Sequence, residues 1–358
     1  MVTTTAHFEI QHTQFLDSQG QPTQDLPAWT NNEEELLTLY RNMVLARVFD
    51  AKAIALQRTG KMGTYAPIHG QEAVGTAIGY AMRSEDVLIP YYRDYAAQIQ
   101  RHVKMSEIYM YWGGDERGSC FQNNVEDLPL CVPIASQCLH AAGVGFALKY
   151  RQQKRVAVCA IGDGGTSEGD FYEALNVAGS WNLPVVFVIN NNQWAISVPL
   201  SKQTQAVTLA QKAIAAGIKG EQVDGNDIIA MKEVMSKAIE KARMGEGPTL
   251  IEAMSYRLCD HTTADDAGRY QPEEEVKKAK PNEPIIRLKR FLMAKQYWDD
   301  TKEALLQEEC SRKVQVAVDE YLNAPLQPVE SIFDYHYETL PDYLIEQRAQ
   351  AIEEASHA

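Results

Sequence analysis

The most ordered alternation of hydrophobic and polar positions lies between Val156 and Val198, VAVCAIGDGGTSEGDFYEALNVAGSWNLPVVFVINNNQWAISV. Two short apolar runs, Val156 to Ile161 and Val185 to Ile189, bracket a stretch of polar and small residues. Their brevity and β-branched content predict strands buried on both faces, as in a parallel sheet. Between them, from about Ser167 to Trp181, Phe171, Leu175, Ala178 and Gly179 recur at helical spacing. Strand, helix and strand make a βαβ unit, and the rest of the chain is arranged around it.

Thr30 and Glu33 have the spacing of a capping box. A helix should follow, burying Leu36, Leu37, Tyr40, Met43, Val44 and Val48. Beyond the central unit, Thr208 to Ile218 reads as helix, Gly220 to Asp227 as a turn-rich link, and Ile228 to Met244 as helix. Pro248 to Met254 reads as another apolar strand. Charged helices are expected over Pro284 to Lys295 and Thr301 to Leu322. The Pro- and aromatic-rich segment Ala324 to Pro341 should pack as a tail on this domain or on a partner. Residues 1–29 show little periodicity and read as an extended arm. With no repeat and no long linker, residues 30–358 are expected to form one α/β domain with a central, mostly parallel sheet and helices on both faces. Its helical C-terminal region would begin near residue 273.

The 358 residues carry 34 Lys and Arg against 48 Asp and Glu, a formal charge of −14, which argues against nucleic acid or an anionic membrane as partner. The six cysteines show no CxxC or zinc-ligand spacing, and Cys159 falls in a core strand, as for buried thiols in a reducing compartment. Residues 1–25 lack the apolar core of a signal peptide and no run is long enough to span a bilayer. A soluble, cytoplasmic protein is expected.

Candidate chemistry sits where the two central strands end. Gly162, Gly164 and Gly165 allow a sharp turn and close approach to a ligand, and a helix start near Thr166 to Glu168 aims its positive end at that turn, which suits a phosphate. Asp163 beside phosphates would be repulsive without a cation between them, and Mg²⁺ takes one or two protein oxygens together with phosphate oxygens. The second strand ends in Asn190, Asn191 and Asn192, neutral oxygens at the same sheet edge. A lone GDG is an ordinary strand-to-helix turn. GDG followed by a helix, an apolar strand and Asn-Asn matches the thiamine diphosphate motif.

The surrounding text, GDGGTSEGDFYEALN and NNQWAIS, resembles the alpha subunit of the decarboxylating component of 2-oxo acid dehydrogenase complexes, most of all its pyruvate-using members, from about Leu36 to Leu340. The resemblance implies a thiamine diphosphate-binding fold. It places Asp163, Asn192 and the carbonyl of Trp194 on Mg²⁺, and Tyr92, Arg93, Gly164, Gly165 and His261 on the diphosphate side. Val132 and Ile134 would lie at the thiamine pyrimidine. His261 would be catalytic, helping the acyl group move to lipoamide. A monovalent cation site near Pro133, Ser136 and Gln137 is a weaker implication.

A beta subunit would supply the second cofactor-binding domain and the activating glutamate in an α₂β₂ enzyme, and the lipoyl domain of dihydrolipoyl acyltransferase would receive the acyl group. The implied reaction is oxidative decarboxylation of pyruvate, a small 2-oxo acid, with reductive acetylation of lipoamide. The alternatives are a branched-chain 2-oxo acid or acetoin dehydrogenase alpha subunit and, in another class, a non-catalytic Mg²⁺- and diphosphate-binding structural subunit. Some features depart from the family. Ala66 stands where some pyruvate-using members have His, and Thr64-Tyr65 stands where branched-chain members often have Phe-Tyr. Asp115, Glu116 and Arg117 replace a loop that carries a His in many relatives. His69, just before a helix, is read as a capping or core histidine and His140 as a packed residue. Thr262 and Thr263 lie where some relatives carry regulatory phosphoserines, but no such control is expected here.

Overall fold

A computed structural model describes residues 1–357. Its strands are β1 (Gln11–Thr13), β2 (Val87–Ile89), β3 (Ala157–Gly162), β4 (Val185–Asn191), β5 (Trp194–Ala195), β6 (Val198–Pro199), β7 (Lys219–Asp224) and β8 (Thr249–Met254). Six form one sheet in the order β1-β7-β8-β4-β3-β2, while β5 and β6 make a small separate hairpin. Every pairing in the large sheet is parallel.

The apolar runs of β3 and β4 follow from burial on both faces. Val158, Ala160, Val186 and Val188 join a core built with the helices Glu33–Arg58, Glu72–Ala81, Ile228–Arg243 and Pro284–Ala294. Their neighbours Cys159, Ile161, Val185, Phe187 and Ile189 face the other way, into a second core with the helices Ser136–Tyr150 and Gly169–Ser180. The strand period of two thus divides one apolar run between two cores. The chain is α/β with a parallel sheet covered by helices, as its pattern predicts.

Three local expectations change. Gly220 to Asp227 is not merely a link: Lys219–Asp224 is β7, and only Val223 in it is fully buried, so a polar strand near the sheet edge hides from hydrophobic pattern. The helix expected over Thr208 to Ile218 shrinks to Lys212–Ala215, because the chain must turn at Gly217 (φ 66°) into β7. The first long helix is capped by Asn32, whose side chain accepts from Glu35 N, whereas the Thr30 hydroxyl donates to Pro27 O.

The chain falls into two compact units, Met1–Val318 and Asp319–Ala358. The second includes the turn Ser331–Asp334 and a helix, Asp342–Ser356, with no buried residue. In the first, the N-terminal segment supplies edge strand β1, paired with β7. One buried carboxylate fastens it. Asp227 Oδ2 accepts from the amides of Phe15 and Leu16, both at 2.7 Å, while Oδ1 caps the helix Ile228–Arg243 through Ile229 N at 3.0 Å and Ala230 N at 3.2 Å. Asp227→Ala strands four donors and is expected to lower stability by about 2–4 kcal/mol in urea unfolding, with earlier proteolysis within the first twenty residues. Unchanged unfolding would contradict the fastening role.

Parallel strands put their carboxyl ends on one edge, where ligands of open α/β sheets bind. The segments following β2, β3, β4 and β8 all leave the sheet there.

Candidate active site

Asp163 follows β3 directly and is 1% exposed. Burial pushes its carboxyl above the usual carboxylate range, against the pull of the Gln203 side chain, which donates Nε2 to Oδ2 at 2.9 Å. The backbone of Asp163 starts the 3₁₀ turn Gly164–Ser167, and its carbonyl accepts from Thr166 N at 3.1 Å and Thr166 Oγ1 at 2.7 Å. Lys212 secures the same turn, donating to Thr166 O at 2.7 Å. The chain turns here as expected, but without positive φ at Gly162, Gly164 or Gly165. A Cβ on Gly164 would sit 2.5 Å from Ala195 Cβ and one on Gly165 2.7 Å from Ile161, so glycine is needed there for close packing.

β4 runs out through three buried asparagines, Asn190 to Asn192, the first and last of which share a partner. Asn191 donates to Glu252 Oε1 at 2.7 Å, and Asn190 and Asn192 each donate Nδ2 to Gln71 Oε1 at 3.0 Å. The Asn192 Oδ1 accepts Trp194 N at 3.2 Å. Trp194 is held between two left-handed residues, Gln193 (φ 73°) and Ile196 (φ 53°), a strained hairpin of the kind found at ligand clamps.

His261 lies in the segment after β8. Its Nδ1 meets Arg93 Nη2 at 2.8 Å and Arg257 Nη1 at 3.5 Å. A guanidinium only donates, so Nδ1 accepts and the ring proton sits on Nε2. Burial, then Arg93 and Arg257, pull the imidazole pKa down to about 3 against the opposing pull of Asp265. The ring is therefore neutral at physiological pH. Arg93 also ties the segment to the main chain, donating to Pro67 O at 2.7 Å and to His261 O at 2.6 Å. The Tyr92 ring meets His261 edge-on at 6.2 Å. Arg257 donates to Tyr270 OH at 2.6 Å, and Tyr270 in turn donates to Asp265.

Nine of the ten residues expected at the site, all but Val132, line one cavity of about 220 Å³. Val132 is 49% exposed on the segment leading to the helix Ser136–Tyr150, as is Ile134 at the cavity wall. A larger cleft of about 580 Å³, lined by Ile54, Arg58, Pro67 and Cys259 among others, contains none of the ten. Ser136 Oγ donates to Pro133 O at 2.8 Å, and Gln137 donates Nε2 to Ala160 O at 3.1 Å, while the Gln137 Oε1 is buried without a partner among the described residues. His140 is exposed on its helix, a correction to its reading as packed, while His69 is partly buried. Reasoning from sequence missed Gln71, Gln203, Arg257 and Tyr270. Of these, Arg257 and Tyr270 flank the His261 stretch that drew attention, whereas nothing in the pattern marks the two glutamines.

Among the described residues, no three His, Cys, Asp or Glu side chains converge as a metal site. A cation at Asp163 would need neutral oxygens. Asn192 Oδ1 fits, and the Gln203 Oε1 is buried without a partner among the described residues, 3.8 Å from where a Gly164 Cβ would be. That donor set suits a hard oxygen-seeking ion such as Mg²⁺.

Residues 40–330 match the family model described as Dehydrogenase E1 component. The chain is 41% identical over 345 residues to the pyruvate dehydrogenase E1 component subunit alpha of Staphylococcus aureus, covering 96% of this chain and 93% of the relative. It is 40% identical over the same length and shares to the subunit of that name from Staphylococcus epidermidis.

Proposed function

The chain belongs to the dehydrogenase E1 component family, and from that premise we propose that it is the alpha subunit of a thiamine diphosphate-dependent pyruvate dehydrogenase. It would decarboxylate pyruvate oxidatively and pass the acetyl group to the lipoyl domain of an acyltransferase. The observation that carries the reading is the meeting, in one cavity, of Asp163 and Asn192 from adjacent strand ends with Arg93 and His261. The relatives' names favour pyruvate, and Tyr65 and Ala66 are buried outside that cavity, so the departures at 64–66 do not reshape its wall.

Bound there, thiamine diphosphate would supply the electron sink for the bond that breaks as CO₂ leaves. Asp163, Asn192 and the Trp194 carbonyl would hold Mg²⁺, which screens the carboxylate from the diphosphate. Arg93 brings fixed positive charge to the phosphate side. His261, neutral and carrying its proton on Nε2, offers a donor that needs no prior protonation.

The cavity is smaller than the roughly 300–1,000 Å³ of an ordinary small-ligand pocket, and Ile134 in its wall is exposed to solvent. It reads as half of a site. Glu168, its other carboxylate, is exposed, so we assign the glutamate that must activate the cofactor's aminopyrimidine to a beta subunit. The outer faces of the helices Ser136–Tyr150 and Gly169–Ser180 expose Leu139, Phe146, Tyr172 and Val177, and Phe146 lies 5.1 Å from the exposed ring of Trp181. An apolar surface of this kind marks an interface. Phe146→Glu with Trp181→Glu is expected to leave the chain folded by circular dichroism while the beta subunit no longer co-purifies. An intact complex would remove this face from the proposal.

The function is tested on the complex recovered from native extract through a tag on this chain. It is assayed with thiamine diphosphate, Mg²⁺ and an artificial electron acceptor on pyruvate and on 3-methyl-2-oxobutanoate. Preference for pyruvate is expected. Preference for the branched acid would move the assignment within the family, and no turnover of either would overturn it.

A further inference from the structure

Asn192 can serve a cation only through Oδ1, yet its amide presents an NH₂ to the same space after half a turn about its last bond. We propose that Gln71 is the positioning residue that keeps the oxygen end of Asn192 toward the cavity. This rests on the reading of Asp163 and Asn192 as the cation-holding pair.

Gln71 immediately precedes the helix Glu72–Ala81 and is 3% exposed. It does not line the cavity and touches Asn192 from behind. Its Oε1 accepts two donors, Asn190 Nδ2 and Asn192 Nδ2, each at 3.0 Å. Its Nε2 is buried with no partner among the described residues. At the far end, Asn190 Oδ1 accepts from Ser255 Oγ at 2.7 Å, and Asn190 Nδ2 also reaches Tyr91 OH at 3.0 Å.

Hydroxyls can donate or accept, so Ser255, Asn190, Gln71 and Asn192 form a chain that could invert as a unit, every amide turned over. One contact decides the polarity. Trp194 N, a main-chain donor that cannot accept, points at Asn192 Oδ1 from 3.2 Å. With Oδ1 fixed as acceptor, Asn192 Nδ2 needs an acceptor on its other side, and Gln71 Oε1 is the one present. A Gln71 turned over would offer NH₂ to Asn192 and pull its oxygen out of the cavity. The relay thus gives a neutral side chain a defined sign before any cation arrives. It accounts for the unpartnered Nε2 as the end the chosen polarity leaves over.

The test uses the full chain in its native complex with thiamine diphosphate, and Mn²⁺ as probe, with free Mn²⁺ followed by electron paramagnetic resonance. Gln71→Met, similar in shape but without an acceptor, is expected to weaken Mn²⁺ binding about 10–100-fold, the range for groups that orient metal ligands. Gln71→Glu, which keeps acceptor oxygens in place, should bind near wild type. In an Asn192→Asp background both ends of the ligand are oxygen, and adding Gln71→Met should then cost little. Undiminished binding by Gln71→Met overturns the proposal. So does an equal loss in the Asn192→Asp background, which would mean only a packing role. Should Gln71→Met not accumulate folded, a folded Gln71→Glu with tenfold weaker binding overturns it as well. Asp163→Ala separates the two readings. If it abolishes binding while Gln71→Met does not, this inference alone falls. If Asp163→Ala binds Mn²⁺ as before, the cation site itself is wrong and both fall.

Discussion

Asp163→Ala is expected to cut thiamine diphosphate-dependent turnover of the complex by at least about a thousandfold, the equivalent of the several kcal/mol a divalent ion contributes. Stability of the cofactor-free chain should hold or rise. Both halves follow from burial. The carboxylate sits in a nearly solvent-free position that raises its pKa. Without a cation, its charge is therefore a burden on the fold that Gln203, nearby amides and the charge of Arg257 relieve only in part. With a cation the same charge becomes the anchor for the diphosphate. The measurement pairs kinetics of the complex with thermal unfolding of the isolated chain. Retained turnover would show that Asp163 is no ligand. Lost turnover with a lower melting temperature would show a structural carboxylate.

The second large effect concerns His261. Its replacement by Asn keeps an oxygen that can accept from Arg93 and removes the Nε2 proton, so turnover should fall about 10²–10⁴-fold, the usual range for a proton-transferring group. The fold carries a second signature. The folded imidazole has its pKa near 3, whereas in the unfolded chain it takes up a proton near pH 6.5. Between those values the unfolded state binds the extra proton, so stability falls as pH drops through that window and is fully present only above it. Urea midpoints at pH 7 and pH 4.5 should therefore differ more for wild type than for His261→Asn. Equal acid sensitivity would mean that the ring titrates as it would in water, outside the reach of Arg93 and Arg257.

What was legible in the sequence was whatever burial writes into composition. β3, and β4 as far as Ile189, are apolar because helices cover both of their faces, and they announce themselves. β7 reads KGEQVD, since a strand near the edge needs only Val223 inside, and no periodicity betrays it. At the site, Asp163 and the asparagines showed through local spacing, because consecutive strand ends of a βαβ unit are also neighbours in space. Gln71 lies 121 positions from Asn192 and reaches it only because the sheet edge gathers distant segments. No local pattern encodes such a partnership. Glycine was legible as a requirement but not as a reason: the need at Gly164 comes from Ala195, on a later hairpin, and not from the turn.

The pairing of β1 with β7 and of Phe15 and Leu16 with Asp227 joins the beginning of the chain to residues more than 200 positions later. During synthesis residues 11–16 emerge long before β7 and Asp227, and until then have no strand to lie against and no carboxylate to hold them. Contacts of such sequence separation form late and slowly. Residues 11–16 are therefore made long before they are placed, and a nascent chain halted before Asp227 would carry them loose, as the finished subunit does not.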